Sequence, residues 1–290
     1  VSSPPVLGAA RFPAWHAHPD VWLLLGLLAT CYAVAVVRLG PRWAPPGGPA
    51  VTRAQVIWFS LGVATLWLAA DWPIHDVAEH SMYSVHMVQH LLFSLVAAPL
   101  LLLGTPAWML RALLRPEPVF RVVRRLARFL PAILLYNLVL VLAHWPAVVD
   151  ATLRSHPLHF LAHAVILVTA LIVWLPVLSP LPEIPRLAPP QRMVFLFLQS
   201  VVPTVPASFL TFGRKPLYHF YEHVPQLWGT TLDDQRTAGL IMKLGAGLLI
   251  WITIAVIFFR WAAEEESSSR PRRQWQDLDR ELTESAARSG

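Results

Sequence analysis

"YSVHMVQHLLFSLVAAPLLLLG", residues 83–104, sets two histidines, a methionine and a glutamine directly against a run of uncharged apolar residues. Its length matches the roughly 20 apolar residues that a helix needs to cross the hydrocarbon core of a bilayer. Read as a membrane span, it places imidazoles where the membrane begins. Strongly polar groups at such depth are costly and tend to mark function.

The rest of the chain follows the same pattern. Of 290 residues, 56% are hydrophobic and 14% charged, more apolar and less charged than an ordinary soluble domain. The fold expected is an all-α polytopic membrane bundle of seven transmembrane helices. The spans fall near Val21–Val37, Ala54–Ala70, Val85–Leu103, Phe129–Val149, Leu158–Leu178, Val194–Phe212 and Ala238–Phe259. Residues 1–20 lack a basic stretch followed by a short apolar core and read as an exposed segment rather than a cleavable signal. Residues 21–260 form the membrane domain, and 261–290 a charged, Ser-rich tail expected to be mobile or to lie on the membrane.

Lys and Arg in the short connections set the orientation, because basic residues near span ends stay cytoplasmic. Seventeen fall on one face and five on the other, with Lys243 inside the last span. This predicts the N-terminus outside and the C-terminus in the cytoplasm of a bacterial-type inner membrane. The net charge of +6 then faces anionic membrane lipid and is no sign of a nucleic-acid partner. "RALLRPEPVFRVVRRLARF", between spans three and four, interleaves Arg with apolar residues and reads as an interfacial helix. "SPLPEIPRLAPP" reads as an extended turn on the same face, and Pro203 and Pro206 should kink span six. The lone cysteine, Cys31, excludes an internal disulfide and a thiolate pair.

All twelve histidines fall on the outer side of this topology, although Lys and Arg alone set it. At about 100° per residue, His86 and His90 lie one above the other with Gln89 beside them. "HPLHFLAH" does the same for His156, His159 and His163, and His144 ends span four at the same depth. An i, i+4 pair lets two rings reach one ion. His86, His90, His159 and His163 are the candidate metal ligands, with His144, His156, His80, Met87 and Met242 as further candidates. For His16, His18, His75 and His223 the plainer reading holds: interfacial side chains or satisfied core donors. Methionine fills gaps in apolar packing anywhere, which weakens Met87 and Met242. At the start of span seven, Asp233 and Asp234 could cap their own helix, which leaves Gln235 and Lys243 unexplained.

"SVHMVQHLLFSLVAAPLLLLGTP", "HPLHFLAHAVILVTALIVWLPVL" and "LDDQRTAGLIMKL" together resemble the CtaG family of assembly factors for caa3-type cytochrome c oxidases, over about residues 20–260. The resemblance implies a role in maturing the oxidase, by supplying or inserting copper, with oxidase subunits as partners. The matching positions are His86, Met87, Gln89, His90, His159, His163, Asp234, Gln235 and Met242, the polar Gln89, Asp234 and Gln235 standing behind the ligands. Lys243 departs from the pattern, which leads one to expect an aromatic residue there; a cation facing a metal would disfavour binding.

Copper suits imidazole in either redox state and thioether as Cu(I). Two other readings use the same histidines: a b-type haem held by axial imidazoles, and a zinc-dependent membrane hydrolase in which Asp76, Glu79 or Asp234 activates water. A metal-free assembly scaffold is a third.

Overall fold

The computed structural model describes residues 12–289, with side chains placed as far as Ser268. Residues 1–11 of the expected N-terminal segment lie outside the described residues, as do the tail's side chains beyond Ser268. The described residues form helices and no strands. In chain order these are α1 (Pro19–Trp43), α2 (Arg53–Ala70), α3 (Ile74–His80), α4 (Tyr83–Gly104), α5 (Ala107–Leu113), α6 (Glu117–Leu126) and α7 (Phe129–Ala143). There follow α8 (Pro146–Leu153), α9 (His156–Leu178), α10 (Pro189–Val201), α11 (Thr204–Phe212), α12 (His219–Glu222) and α13 (Thr231–Ser268), whose backbone stays helical to Ser289.

Six stretches are long and apolar enough to cross a membrane, and a seventh counts if α6 and α7 form one broken span. These two meet at 88°, as expected for an interfacial helix that turns into the bilayer. The fourth expected span, Phe129–Val149, is corrected by the structure. Its helix stops at Ala143, and Pro146 opens the separate α8. The residue before a proline is pushed out of helical geometry, and Trp145 takes ψ 128°. At 15 residues, α7 is about 22 Å long, short for a bilayer core of about 30 Å. The sixth span breaks at Pro203 between α10 and α11, as its prolines predict.

Large apolar side chains on the outside, among them Leu23, Val37, Leu134, Phe209, Phe212 and Phe259, are more than half exposed. Such a surface fits lipid and not water. The arginine-bearing ends of the spans are tied together. Arg111 grips Glu183 of the Pro-rich turn through two bonds of 2.8 and 3.2 Å, and Arg186 Nε donates to Ser179 O at 2.7 Å. Gly104 closes the α2–α4 crossing; a Cβ there would stand 2.6 Å from Phe59 Cα, so no larger residue fits without parting the helices.

Two helices carry π turns beside the histidine end, at Leu92–Ala97 in α4 and Ile241–Gly245 in α13. In the first, the N–H of Ala98 bonds Phe93 O rather than Ser94 O. The freed Ser94 carbonyl accepts from Trp174 Nε1 of α9 at 2.8 Å. Single π turns are frequent at functional sites; here one locks α4, just past His90, to the other histidine-bearing helix.

Candidate metal centre

Each histidine helix is held at its start. The first turn of a helix has N–H groups with no partner inside it. For α4 that partner is Asp234 of α13, whose two carboxylate oxygens accept from the N–H groups of Tyr83 and Ser84 at 2.6 and 3.0 Å. Asp233 serves its own helix, in a reciprocal pair with Thr230. Capping of its own helix, which the sequence offers as an account of one aspartate, is the role of Asp233, and Asp234 caps α4 instead. Gln235 binds the connection before α12, accepting from Leu217 N at 2.6 Å and donating to Leu210 O at 3.3 Å. On α9, Pro157 lies in the first turn, where its missing N–H leaves nothing unpaired.

The imidazoles meet between α4 and α9. Ring centroids are 4.3 Å apart for His86 and His90, 4.2 Å for His159 and His163, and 5.7 Å from His86 to each of His159 and His163. His90 lies 5.4 Å from His163 and 5.9 Å from His144. One ring nitrogen from each of His86, His159 and His163 falls within 4.8 Å of the others. His86 Nδ1, His159 Nε2 and His163 Nε2 are buried without a hydrogen-bond partner. Buried polar atoms are rarely left so. Ligand atoms around a tetrahedral ion with bonds of about 2.0 Å stand about 3.3 Å apart, so side-chain torsions can close the gap. A group of orphaned nitrogens from two rigid helices fits a metal ion.

A second group adjoins it, made of His75, Glu79 and His159. Glu79 Oε1 lies 3.4 Å from His75 Nε2 and 3.1 Å from His159 Nε2, the latter without hydrogen-bond alignment. Gln89, fully buried, donates one amide proton to Ala69 O at 2.8 Å and the other to His75 Nδ1 at 3.1 Å. His75 therefore keeps its own proton on Nε2, facing Glu79. Farther out, His18 Nε2 and His16 Nδ1 contact the Asp76 carboxylate at 2.9 and 3.2 Å, and the His18 ring packs on His75 at 4.9 Å.

A hollow of about 800 Å³ between α1 and α2 is lined by no histidine, carboxylate or cysteine. The family model for the cytochrome c oxidase caa3 assembly factor (Caa3_CtaG) matches residues 30–264. The chain belongs to this family. No curated protein and no solved structure matches it.

In this CtaG protein the structure brings together His86, His90, His159, His163, His144 and Met87, with Met242 lining a cavity beside Met87, His90 and His144. His156 is exposed, at the rim of a neighbouring cavity of about 150 Å³. His80 is exposed and bonds back to Asp76 O at 3.0 Å, apart from the cluster. Lys243 is exposed while Met242 beside it is buried, so the cation points away from the histidines. The sequence reads His75 as an interfacial side chain or satisfied core donor and Glu79 as a candidate base of a zinc hydrolase, without placing the two side by side. The spacing His75-x-x-x-Glu79 was the available signal, lost because that stretch read as a loop and not as α3. Behind the cluster, Tyr83 donates to Tyr218 at 3.1 Å and Tyr218 to His144 O at 3.1 Å. Burial pushes the Tyr218 phenol up to about 12, so it remains a donor at any physiological pH.

Proposed function

We propose that this CtaG protein binds copper at the group of His86, His159 and His163 and helps deliver it to a caa3-type cytochrome c oxidase. The observation that carries this reading is the convergence of three rings from two helices, one nitrogen of each within 4.8 Å of the others, each ring also carrying a buried nitrogen with no hydrogen-bond partner. An all-nitrogen set accepts copper in either redox state, and a set short of four protein ligands leaves a place from which the ion can depart. His159 also meets the Glu79 carboxylate at 3.1 Å, so an ion leaving His86 and His163 can pass to Glu79 without first giving up its imidazole. Glu79 and His163 are part exposed while His86 and His159 are buried, so Glu79 offers one way in and out.

The excess of Lys and Arg on the opposite face supports an extracytoplasmic position for this end, with the N-terminus outside and the C-terminus inside a bacterial cytoplasmic membrane. The loops around His16, His18 and α12 then face the oxidase subunits. A haem is the poorer fit: the rings pack at 4.2–5.9 Å, and the adjoining cavity of about 150 Å³ falls below the roughly 300 Å³ at which small-molecule sites begin.

A second reading rests on one observation. His75, Glu79 and His159 have the His₂Glu composition of catalytic zinc sites, which would make the protein a membrane hydrolase. Against it, the Gln89 bond leaves the proton of His75 on the nitrogen facing Glu79. Elemental analysis and a visible spectrum of the purified protein separate the readings: copper without a Soret band supports ours, and zinc or haem in stoichiometric amount rejects it. His86→Ala/His163→Ala should lose copper and oxidase maturation together; unaltered copper stoichiometry and affinity in that variant would reject the site.

A further inference from the structure

His144 closes α7, and its Nδ1 lies 2.7 Å from Leu140 O. A carbonyl only accepts, so this nitrogen holds the proton of the neutral ring. The other nitrogen, Nε2, is then a bare lone pair, and it faces Met87 Sδ at 3.4 Å. A thioether has no proton to offer either. Two electron-pair donors thus point at each other, an arrangement that a cation between them would stabilise.

The surroundings select the kind of cation. Met87 and Met242 are 2% and 4% exposed, and both line a cavity of about 50 Å³ together with His90 and His144. One water occupies about 30 Å³ of liquid, so this space has room for an ion with little water around it and for no larger ligand. No carboxylate lines it, which leaves nothing to favour a hard divalent ion such as Mg²⁺ or Ca²⁺. Nitrogen and sulfur around a four-coordinate ion, with bonds of about 2.0 and 2.3 Å, stand about 3.5 Å apart, close to the spacing observed. The π turn Ile241–Gly245 carries Met242 to this wall and leaves Lys243 on the outside.

We infer that Met87 and His144, with His90 and Met242 across the cavity, form a second metal site, selective for a soft monovalent ion: Cu(I), or Ag(I) as its redox-inert probe. Thioether sulfur prefers such ions, whereas the three-histidine group does not discriminate. His90 stands between the two sites, 4.3 Å from His86 and 5.9 Å from His144 by ring centroid. The inference goes beyond the copper reading of the first group and does not need that group to be loaded.

The test is titration of the purified full-length chain with Ag(I), counted by elemental analysis, in wild type, Met87→Leu/Met242→Leu and His86→Ala/His163→Ala. Leucine for methionine conserves volume, and the thermal midpoint checks folding. The double-leucine variant should lose one equivalent of Ag(I), or bind it at least tenfold more weakly, with its Zn(II) stoichiometry unchanged. Retention of wild-type Ag(I) stoichiometry and affinity overturns the proposal. X-ray absorption of Cu(I) bound to His86→Ala/His163→Ala gives an independent readout: a sulfur shell near 2.3 Å supports the site even if the first group binds nothing, and nitrogen or oxygen neighbours alone overturn it.

Discussion

Asp234 Oδ2 accepts a hydrogen bond from the backbone N–H of Tyr83 at 2.6 Å, between residues 151 positions apart. The last span thereby caps the helix that carries His86 and His90. The aspartate is fully buried, so its loss leaves N–H groups that water cannot reach. A lost cap costs about 1 kcal/mol, and each buried donor left bare adds about 1–3 kcal/mol. Asp234→Ala should therefore lower the thermal midpoint of the solubilised protein by several degrees. Asp234→Asn, which keeps one acceptor, should lose about half as much. If Asp234→Ala leaves the midpoint alone and abolishes copper binding, the residue is a ligand and not a cap.

Gln89 reaches the histidine group through His75. Its two amide protons are spent on Ala69 O and His75 Nδ1, and His75 leads through Glu79 to His159. Removing such supporting bonds typically weakens metal affinity by about 10–100-fold. Gln89→Leu should show a drop of that size with unchanged stoichiometry, measured by competition with a chromophoric copper chelator. Loss of an equivalent would mean that Gln89 coordinates the ion itself.

The sequence is legible where one segment decides the outcome and mute where two distant segments do. Apolar run length located the spans, and the i, i+4 spacing of His86 with His90 and of His159 with His163 placed the rings on shared faces. The stop at Ala143 was also written locally, in His144-Trp145-Pro146, yet the apolar run to Val149 outweighed it. By contrast, nothing near Asp234 shows that its partners are Tyr83 and Ser84. Nor do the residues at 92–97 announce a π turn, because the bond that rewards it comes from Trp174 on another helix. Both are settled by packing, which a single segment does not encode.

Orientation can be measured with the single cysteine removed. Cys31 is exposed on α1, so Cys31→Ser gives a background free of thiols. Glu222, beside His219 at the histidine end, and Arg121, on α6 at the arginine end, are both solvent-exposed positions. In right-side-out vesicles a membrane-impermeant maleimide should label Glu222→Cys and spare Arg121→Cys until the membrane is opened. The reverse pattern would put the histidines in the cytoplasm and remove the basis for delivery from the outer face.

Lys243 tests whether the departure from the family pattern matters. A cation facing the site would repel a bound copper ion strongly at low dielectric, and replacing it would then raise affinity severalfold. The structure turns it outward: Lys243 is exposed, while Met242 is buried against the cavity shared with Met87, His90 and His144. A long, flexible ammonium chain can carry its charge toward the membrane surface along the outside of α13. Lys243→Phe should therefore leave copper and Ag(I) affinities within about twofold of wild type, since surface changes away from a site shift energies by about 0.5 kcal/mol or less. A tenfold or greater gain in Ag(I) affinity on Lys243→Phe would show that the ammonium reaches the ion, and would place Met242 on the wrong side of its helix to be a ligand.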